Sequence, residues 1–302
     1  MRVAIVQSAP VYYDLGASLE KAATRIRDAA SQGARLVAFG ETWLPGYPTW
    51  LDFCPGAALW NHAPTKEVFA QLRANSVVVP SDATAALSSL ARECGVVLVI
   101  GINEKSDGTL YNTLLSFGSE GAILRHHRKL VPTYTERLVW GMGDGSGLDA
   151  SSTPYGRVGG LICWEHWMPL ARQALHQSGE TIHVAAWPTV HEMHQIASRH
   201  YAFEGRCFVL AAGLLSTVRD LPSELSIPAE LANEPDRLLQ RGGSAIIAPD
   251  GSYVAGPVFD EETILVGDLD LEMIDRERMT LDVAGHYSRP DVFELRVKTK
   301  RD

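Results

Sequence analysis

Apolar positions along this chain recur with two different periods, and the two alternate. Residues 2–8 make a short apolar run suited to a buried strand; Leu15, Leu19, Ala22, Ala23, Ile26 and Ala30 then repeat at helical spacing until Gly33 interrupts them. Residues 36–40 predict a second strand. A helix is expected from a Ser81 or Asp82 cap to Glu93, closed by Gly95, with a strand over 96–100 behind it. Asp107-Gly108 signals a hairpin into 109–117, and a turn at 118–121 leads to a strand beginning at 122. The second half repeats the theme. Strands are expected over 158–162, 181–186 and 207–212, with helices starting at Pro169, where no amide hydrogen is needed, and spanning 191–206. Residues 219–241, polar and interrupted by Pro222, Pro228 and Pro235, read as a surface excursion. Strands over 244–248 and 263–269 flank a turn at Pro249-Asp250-Gly251, and a helix over 271–278 precedes an irregular tail. Alternation of this kind without a linker predicts one α/β domain over residues 1–302.

Composition narrows the function. The 302 residues are 46% hydrophobic and 21% charged, with 27 basic against 36 acidic side chains for a formal charge of −9. An extended phosphate-tracking stripe is absent, so no nucleic-acid partner is expected. No apolar run reaches the about 20 residues of a membrane span, and no charged-then-apolar leader opens the chain, so a cytoplasmic protein without a membrane partner is expected. Cys54, Cys94, Cys163 and Cys207 are scattered, which suits reduced thiols.

The chemistry lies where strands stop. Cys163 ends the 158–162 strand just before a helix start, whose free amides lower a thiol's pKa and can hold an oxyanion. A buried structural cysteine is the plain alternative. Glu41 follows the 36–40 strand, and Lys129 follows another, with Glu136 seven positions on. Each could be a solvated strand-end charge. In an α/β sheet, however, all three strand ends fall on the rim where ligands bind.

The surrounding residues are more specific. Gly40-Glu41-Thr42-Trp43-Leu44-Pro45-Gly46-Tyr47-Pro48, His127-Arg128-Lys129-Leu130-Val131-Pro132-Thr133 with Glu136-Arg137, and Cys163-Trp164-Glu165-His166-Trp167-Met168-Pro169-Leu170 stand in this order. Together they resemble the nitrilase superfamily of carbon–nitrogen hydrolases. Gly242-Gly243-Ser244-Ala245-Ile246-Ile247 and Gly285-His286-Tyr287-Ser288-Arg289-Pro290-Asp291 extend the likeness over nearly the whole chain. The Trp-Glu-His after the cysteine and the His-Tyr-Ser-Arg-Pro-Asp tail look like its nitrilase branch.

The resemblance implies a four-layer α-β-β-α sandwich that pairs into a dimer or small homo-oligomer, with the tail from about 284–302 at an interface. It implies a Glu-Lys-Cys triad of Glu41, Lys129 and Cys163, with Glu136 beside it. A small nitrile is then the expected substrate: Cys163, ionised more readily than a free thiol beside an ammonium, attacks, and Lys129 and the Trp164 amide stabilise the developing charge. Glu41 serves as general base through thioimidate and thioester stages, giving acid and ammonia, and Glu136 positions Lys129 or Glu41. Trp43, Tyr47, Trp167 and Trp187 could line an aromatic substrate pocket or pack as core. His166 is expected to orient its loop. No cofactor is expected, and no metal, because His191-Glu192-Met193-His194 lacks the spacing of a zinc helix. The segment after Pro188 and the C-terminus are shorter than in many nitrilases. An amidase or carbamoylase, hydration of a nitrile or of cyanide to the amide, a papain-like Cys-His hydrolase and a non-catalytic scaffold are the competing readings.

Overall fold

The computed structural model describes residues 1–299. The chain opens with β1 (Arg2–Gln7), α1 (Leu15–Ser31) and β2 (Leu36–Phe39). Asp14 caps α1 by accepting the Ala17 amide, and Ser18, Ala22, Ile26 and Ala29 make its buried stripe. After α2 (Trp50–Phe53) and α3 (Ala63–Ala74) comes α4 (Asp82–Cys94), which Gly95 terminates at φ +62°. The hairpin of β3 (Val97–Ser106) and β4 (Thr109–Phe117) leads into β5 (Ile123–Arg128).

The second half begins with β6 (Ser151–Thr153) and β7 (Gly156–Ile162), then α5 (Pro169–Gln177), β8 (Ile182–Ala186), α6 (Glu192–Gly205) and β9 (Phe208–Ala212). It continues through β10 (Leu215–Thr217), α7 (Ala229–Ala232), β11 (Leu238–Ile247), β12 (Tyr253–Phe259), β13 (Thr263–Asp268) and α8 (Glu272–Arg278). Two mixed sheets result. The first runs β13-β1-β2-β3-β4-β5; the second runs β10-β11-β9-β8-β7-β6, with β12 added on β11.

Strand periodicity explains why these sheets stack. Successive side chains point to opposite faces, so each buried strand serves two cores. Val3, Ile5, Leu36, Ala38, Val97 and Val99 pack with Val184, Leu210 and Ile246 of the second sheet. Their neighbours Ala4, Val6, Val37, Phe39, Leu98 and Ile100 face Ala22 and Ile26 of α1 and Leu87 and Ala91 of α4. Helices α5 and α6 cover the far side of the second sheet through Leu175, Tyr201 and Ala202. The layers are α-β-β-α, as expected. Among the described residues, no helix is long and apolar enough to cross a membrane.

Three expectations change. Helix α3 was not anticipated, because only Val68 and Leu72 of its twelve residues are buried and its apolar stripe is faint. The 219–241 segment is not a solvated excursion. Leu221, Leu225 and Leu231 are buried in the first core, and β11 already begins at Leu238. Finally, 263–268 does not pair across the Pro249-Asp250-Gly251 turn: β12 takes that place, while β13 crosses to the first sheet and pairs antiparallel with β1.

Candidate active site

Glu41 is delivered by the end of β2, which lies directly on β3. A Cβ on Gly101 would stand 2.3 Å from the Gly40 carbonyl oxygen, so only glycine permits this approach. Thr42, immediately after Glu41, holds φ +45°, a left-handed conformation unusual for a β-branched residue. The Glu41 carboxyl is fully buried. Its Oε1 accepts from Asn112 Nδ2 at 2.6 Å and Lys129 Nζ at 2.8 Å. Its Oε2 has no hydrogen-bond partner among the described residues.

Lys129 leaves the end of β5 with its backbone fixed on both sides. Its amide donates to the Asn112 carbonyl at 2.7 Å, and its own carbonyl accepts from Gly143 at 2.8 Å. The ammonium bridges two carboxylates, giving 2.8 Å to Glu41 and 2.7 Å to Glu136 Oε2. Glu136 rides on the 3-10 turn Tyr134–Leu138, where the same Oε2 accepts the Thr133 amide at 2.7 Å and Oε1 accepts the Tyr47 hydroxyl at 3.0 Å.

Cys163 directly follows β7 and opens the 3-10 turn Cys163–Trp167, at φ +53°. A non-glycine residue held there stores about 1–3 kcal/mol of strain that surrounding contacts must maintain. Those contacts are visible. Glu165 accepts the Ile162 amide at 2.7 Å and the Leu130 amide at 2.8 Å, and its Oε2 lies 2.9 Å from His127 Nε2. One carboxylate thus ties the thiol's strand to the lysine's. His166 Nδ1 holds the Cys163 carbonyl at 2.6 Å. The sulphur, one oxygen of Glu41 and one of Glu136 lie within 4.8 Å of one another. That spacing would suit a cation, but the Lys129 ammonium already bridges the two carboxylates.

The electrostatics overturn one expectation. Burial and the nearby Glu41 push the Cys163 thiol well above its ordinary pKa, against the pull of Lys129 and the Trp164 backbone. That direction favours the neutral thiol over the thiolate. Burial also lifts Glu41 to about 7, opposed by Lys129 and reinforced by Glu136. Burial disfavours the charge on Lys129, yet Glu41, Cys163 and Glu136 together hold its pKa above the lysine value. The cluster is a thiol facing a poised carboxylate across a permanent ammonium.

Residues 2–279 match the profile of the carbon-nitrogen hydrolase family. The chain belongs to that family. An aliphatic nitrilase of Sinorhizobium fredii (strain HH103) is 43% identical over 295 residues, covering 97% of this chain and 94% of that one. The bifunctional nitrilase/nitrile hydratase NIT4A of Lupinus angustifolius is 41% identical over 302 residues, covering 99% and 86%. Among solved structures, a carbon-nitrogen hydrolase from Helicobacter pylori G27 shares the fold with a TM-score of 0.73 at 22% identity, over 93% of both chains.

Within this carbon-nitrogen hydrolase the four aromatic candidates separate. Trp43 is core: it is fully buried, packs edge-on to Phe39 at 4.9 Å and donates to the Ser8 carbonyl at 2.9 Å. Trp187 is also fully buried, stacked between His166 and His194 at 4.7 and 4.3 Å. Trp167 does reach a groove, of about 480 Å³, that it shares with Trp164, Val131 and Arg137. Tyr47 lines a cleft of about 170 Å³ with Asp52, His191, His194 and Gln240. His166 orients the cysteine turn, as its place in the sequence suggested.

Asn112 and the anchoring role of Glu165 were not found from sequence. Asn112 sits mid-strand in β4, and nothing local marks it; the β4–β5 register brings it to Lys129.

Proposed function

We propose that this chain hydrolyses small organic nitriles to carboxylic acid and ammonia, with Cys163 as nucleophile and Glu41, Lys129 and Glu136 as its catalytic partners. The observation that carries the reading is the unpartnered Oε2 of buried Glu41 in a cluster that brings a Glu41 oxygen within 4.8 Å of the thiol. A base near pKa 7 is matched to a proton that must move at neutral pH.

The Cys163 S–H proton passes to Glu41 as the sulphur bonds to the nitrile carbon. One π pair moves onto nitrogen, which takes the proton back from Glu41, leaving a thioimidate and an ionised Glu41. Lys129 and the Trp164 amide stabilise that developing charge, at about 3–4 kcal/mol per well-placed donor. Glu41 then activates water at the same carbon, and the protonated nitrogen leaves as ammonia to give the thioester. A second water releases the acid and returns the proton to sulphur. Glu136 holds Lys129 in line, itself fixed by Tyr47 and the Thr133 amide.

If the tetrahedral intermediate expels sulphur before nitrogen, the product is the amide. The name of the Lupinus relative, a bifunctional nitrilase/nitrile hydratase, favours testing that branch. Ammonia, acid and amide are to be resolved from aliphatic, aryl and arylaceto nitriles, cyanide and the matching amides, with Cys163→Ala as control. Acid from nitriles made only by the wild type supports the reading, and turnover of amides alone overturns it. We further propose a homo-oligomer in which the tail beyond residue 284 lies at an interface. Exposed Tyr287 and Phe293 share a groove with Leu170 of α5, which supports it. Light scattering showing a monomer would end that part.

A further inference from the structure

Behind the nucleophile runs a second buried polar chain that the reaction above does not use. From the Cys163 carbonyl it passes to His166 Nδ1 at 2.6 Å, from His166 Nε2 to His183 Nε2 at 3.0 Å, and from His183 Nδ1 to Glu180 Oε2 at 2.9 Å. All these side chains are at most 2% exposed. Both ends of the chain are acceptors. Three consecutive contacts at hydrogen-bond distance therefore need three protons, one in each gap. Two neutral imidazoles carry only two.

We propose that the His166–His183–Glu180 chain holds one proton beyond the neutral count, as a His183 imidazolium paired with a Glu180 carboxylate, and that it positions and polarises the peptide group between Cys163 and Trp164. The inference rests on the reading of Cys163 as nucleophile. Its reason is covalent: the Cys163 carbonyl and the Trp164 N–H belong to one peptide unit. His166 donates to one side of that unit, and the N–H on the other side is the donor aimed at the sulphur. A donor pressed onto the carbonyl makes the opposite N–H a stronger donor, as in any cooperative hydrogen-bond chain.

The neighbours decide where the extra proton rests. Burial drives His166 to about 3, so the proton is not there. Glu180 is a settled anion: burial opposes its charge, but His183 and His176 overcome that and hold its pKa far below the carboxylate range, and Tyr201 donates to its other oxygen. Burial, aided by His176 and by Arg125 of β5, holds His183 below its ordinary imidazole value although Glu180 pulls it up. Against that direction stand the three contacts themselves, which two neutral rings between two acceptors cannot fill. Glu165 of the cysteine turn adds a further favourable charge on the His166 side.

The test counts protons without substrate. Nitrogen-15 NMR of histidine-labelled wild type at pH 7, assigned with a His183→Asn variant, should show three protonated ring nitrogens on His166 and His183. Glu180→Gln supplies the third hydrogen from its own amide, so both rings become neutral and kcat stays within about threefold of wild type. Glu180→Leu can supply nothing, and kcat should fall about tenfold with KM unchanged. Two protonated nitrogens in the wild type, or equal kcat in the Gln and Leu variants, would overturn the proposal. The wild-type spectrum carries the count even if Glu180→Leu fails to accumulate. An enzyme inert toward nitriles yet showing three protons would sink the nitrile reading alone.

Discussion

Glu41 and Glu165 are both fully sequestered carboxylates, one facing the thiol and one within the cysteine turn, yet their pKa values move in opposite directions. Burial lifts Glu41 to about 7. The same desolvation acts on Glu165, but His127 and the Leu130 and Ile162 amides outweigh it and bring that carboxyl to about 2. The difference is one of donors. Glu165 spends both oxygens on fixed N–H groups, whereas Glu41 keeps Oε2 free and shares its ammonium with Glu136. Hydrogen-bond supply, more than depth, separates a carboxylate that anchors from one that can take a proton.

Exchanging each acid for its amide exposes the contrast. Glu41→Gln should lower kcat/KM by about 10²–10⁴-fold, the usual contribution of a general base, while its carbonyl keeps the Lys129 and Asn112 contacts. Stability should not suffer. Because folding raises the Glu41 pKa, its stabilisation is present below the unfolded value and lost as pH rises through about 7, so at pH 8 the amide variant is no less stable than wild type. A variant that is active, or that melts well below wild type at pH 8, would break the comparison from the Glu41 side.

Glu165→Gln is the mirror case. Folding depresses this pKa, so the stabilisation is present above the unfolded value near 4.5 and disappears as pH falls through about 2. At neutral pH the variant should lose about 3 kcal/mol, read as a lower urea midpoint. An unchanged midpoint would mean that the amide contacts do not anchor the turn.

The smallest effect sharpens the donor argument. Wild-type kcat/KM should fall as pH drops through about 7, where Glu41 takes up a proton and can no longer accept one from the thiol. Asn112→Ala removes one donor to Glu41 Oε1, raising that pKa and moving the limb upward by about one unit. A limb that stays in place would show that Asn112 does not tune the base.

Much of this site was legible because its residues interrupt strong patterns. Glu41, Lys129 and Cys163 each follow an apolar run, and strand ends fall on a common rim whatever the details of pairing. What failed was whatever depends on the partner strand. Asn112 lies within an ordinary β sequence and becomes a donor to Glu41 only through tertiary pairing. Residues 263–268 carry the same apolar signal whether they pair across a local turn or with β1; only the assembled sheet chooses. The prolines of 219–241 mark turns correctly but conceal that Leu221, Leu225 and Leu231 are swallowed by the core between them. The ionisation of Cys163 was misjudged for the same reason, since proximity to an ammonium is readable and the depth of desolvation is not.

The pairing of β1 with β13 bears on how the protein is made. Met1 and Leu269 exchange backbone hydrogen bonds, and Arg2 reaches Asp268 across 266 positions of sequence. On the ribosome, the first apolar strand emerges long before its antiparallel neighbour has been translated. Until then one of its hydrogen-bonding edges stands open, as a template for any passing strand. Closure of the first sheet is thus a late event with a high contact order, and that edge stays open through most of synthesis.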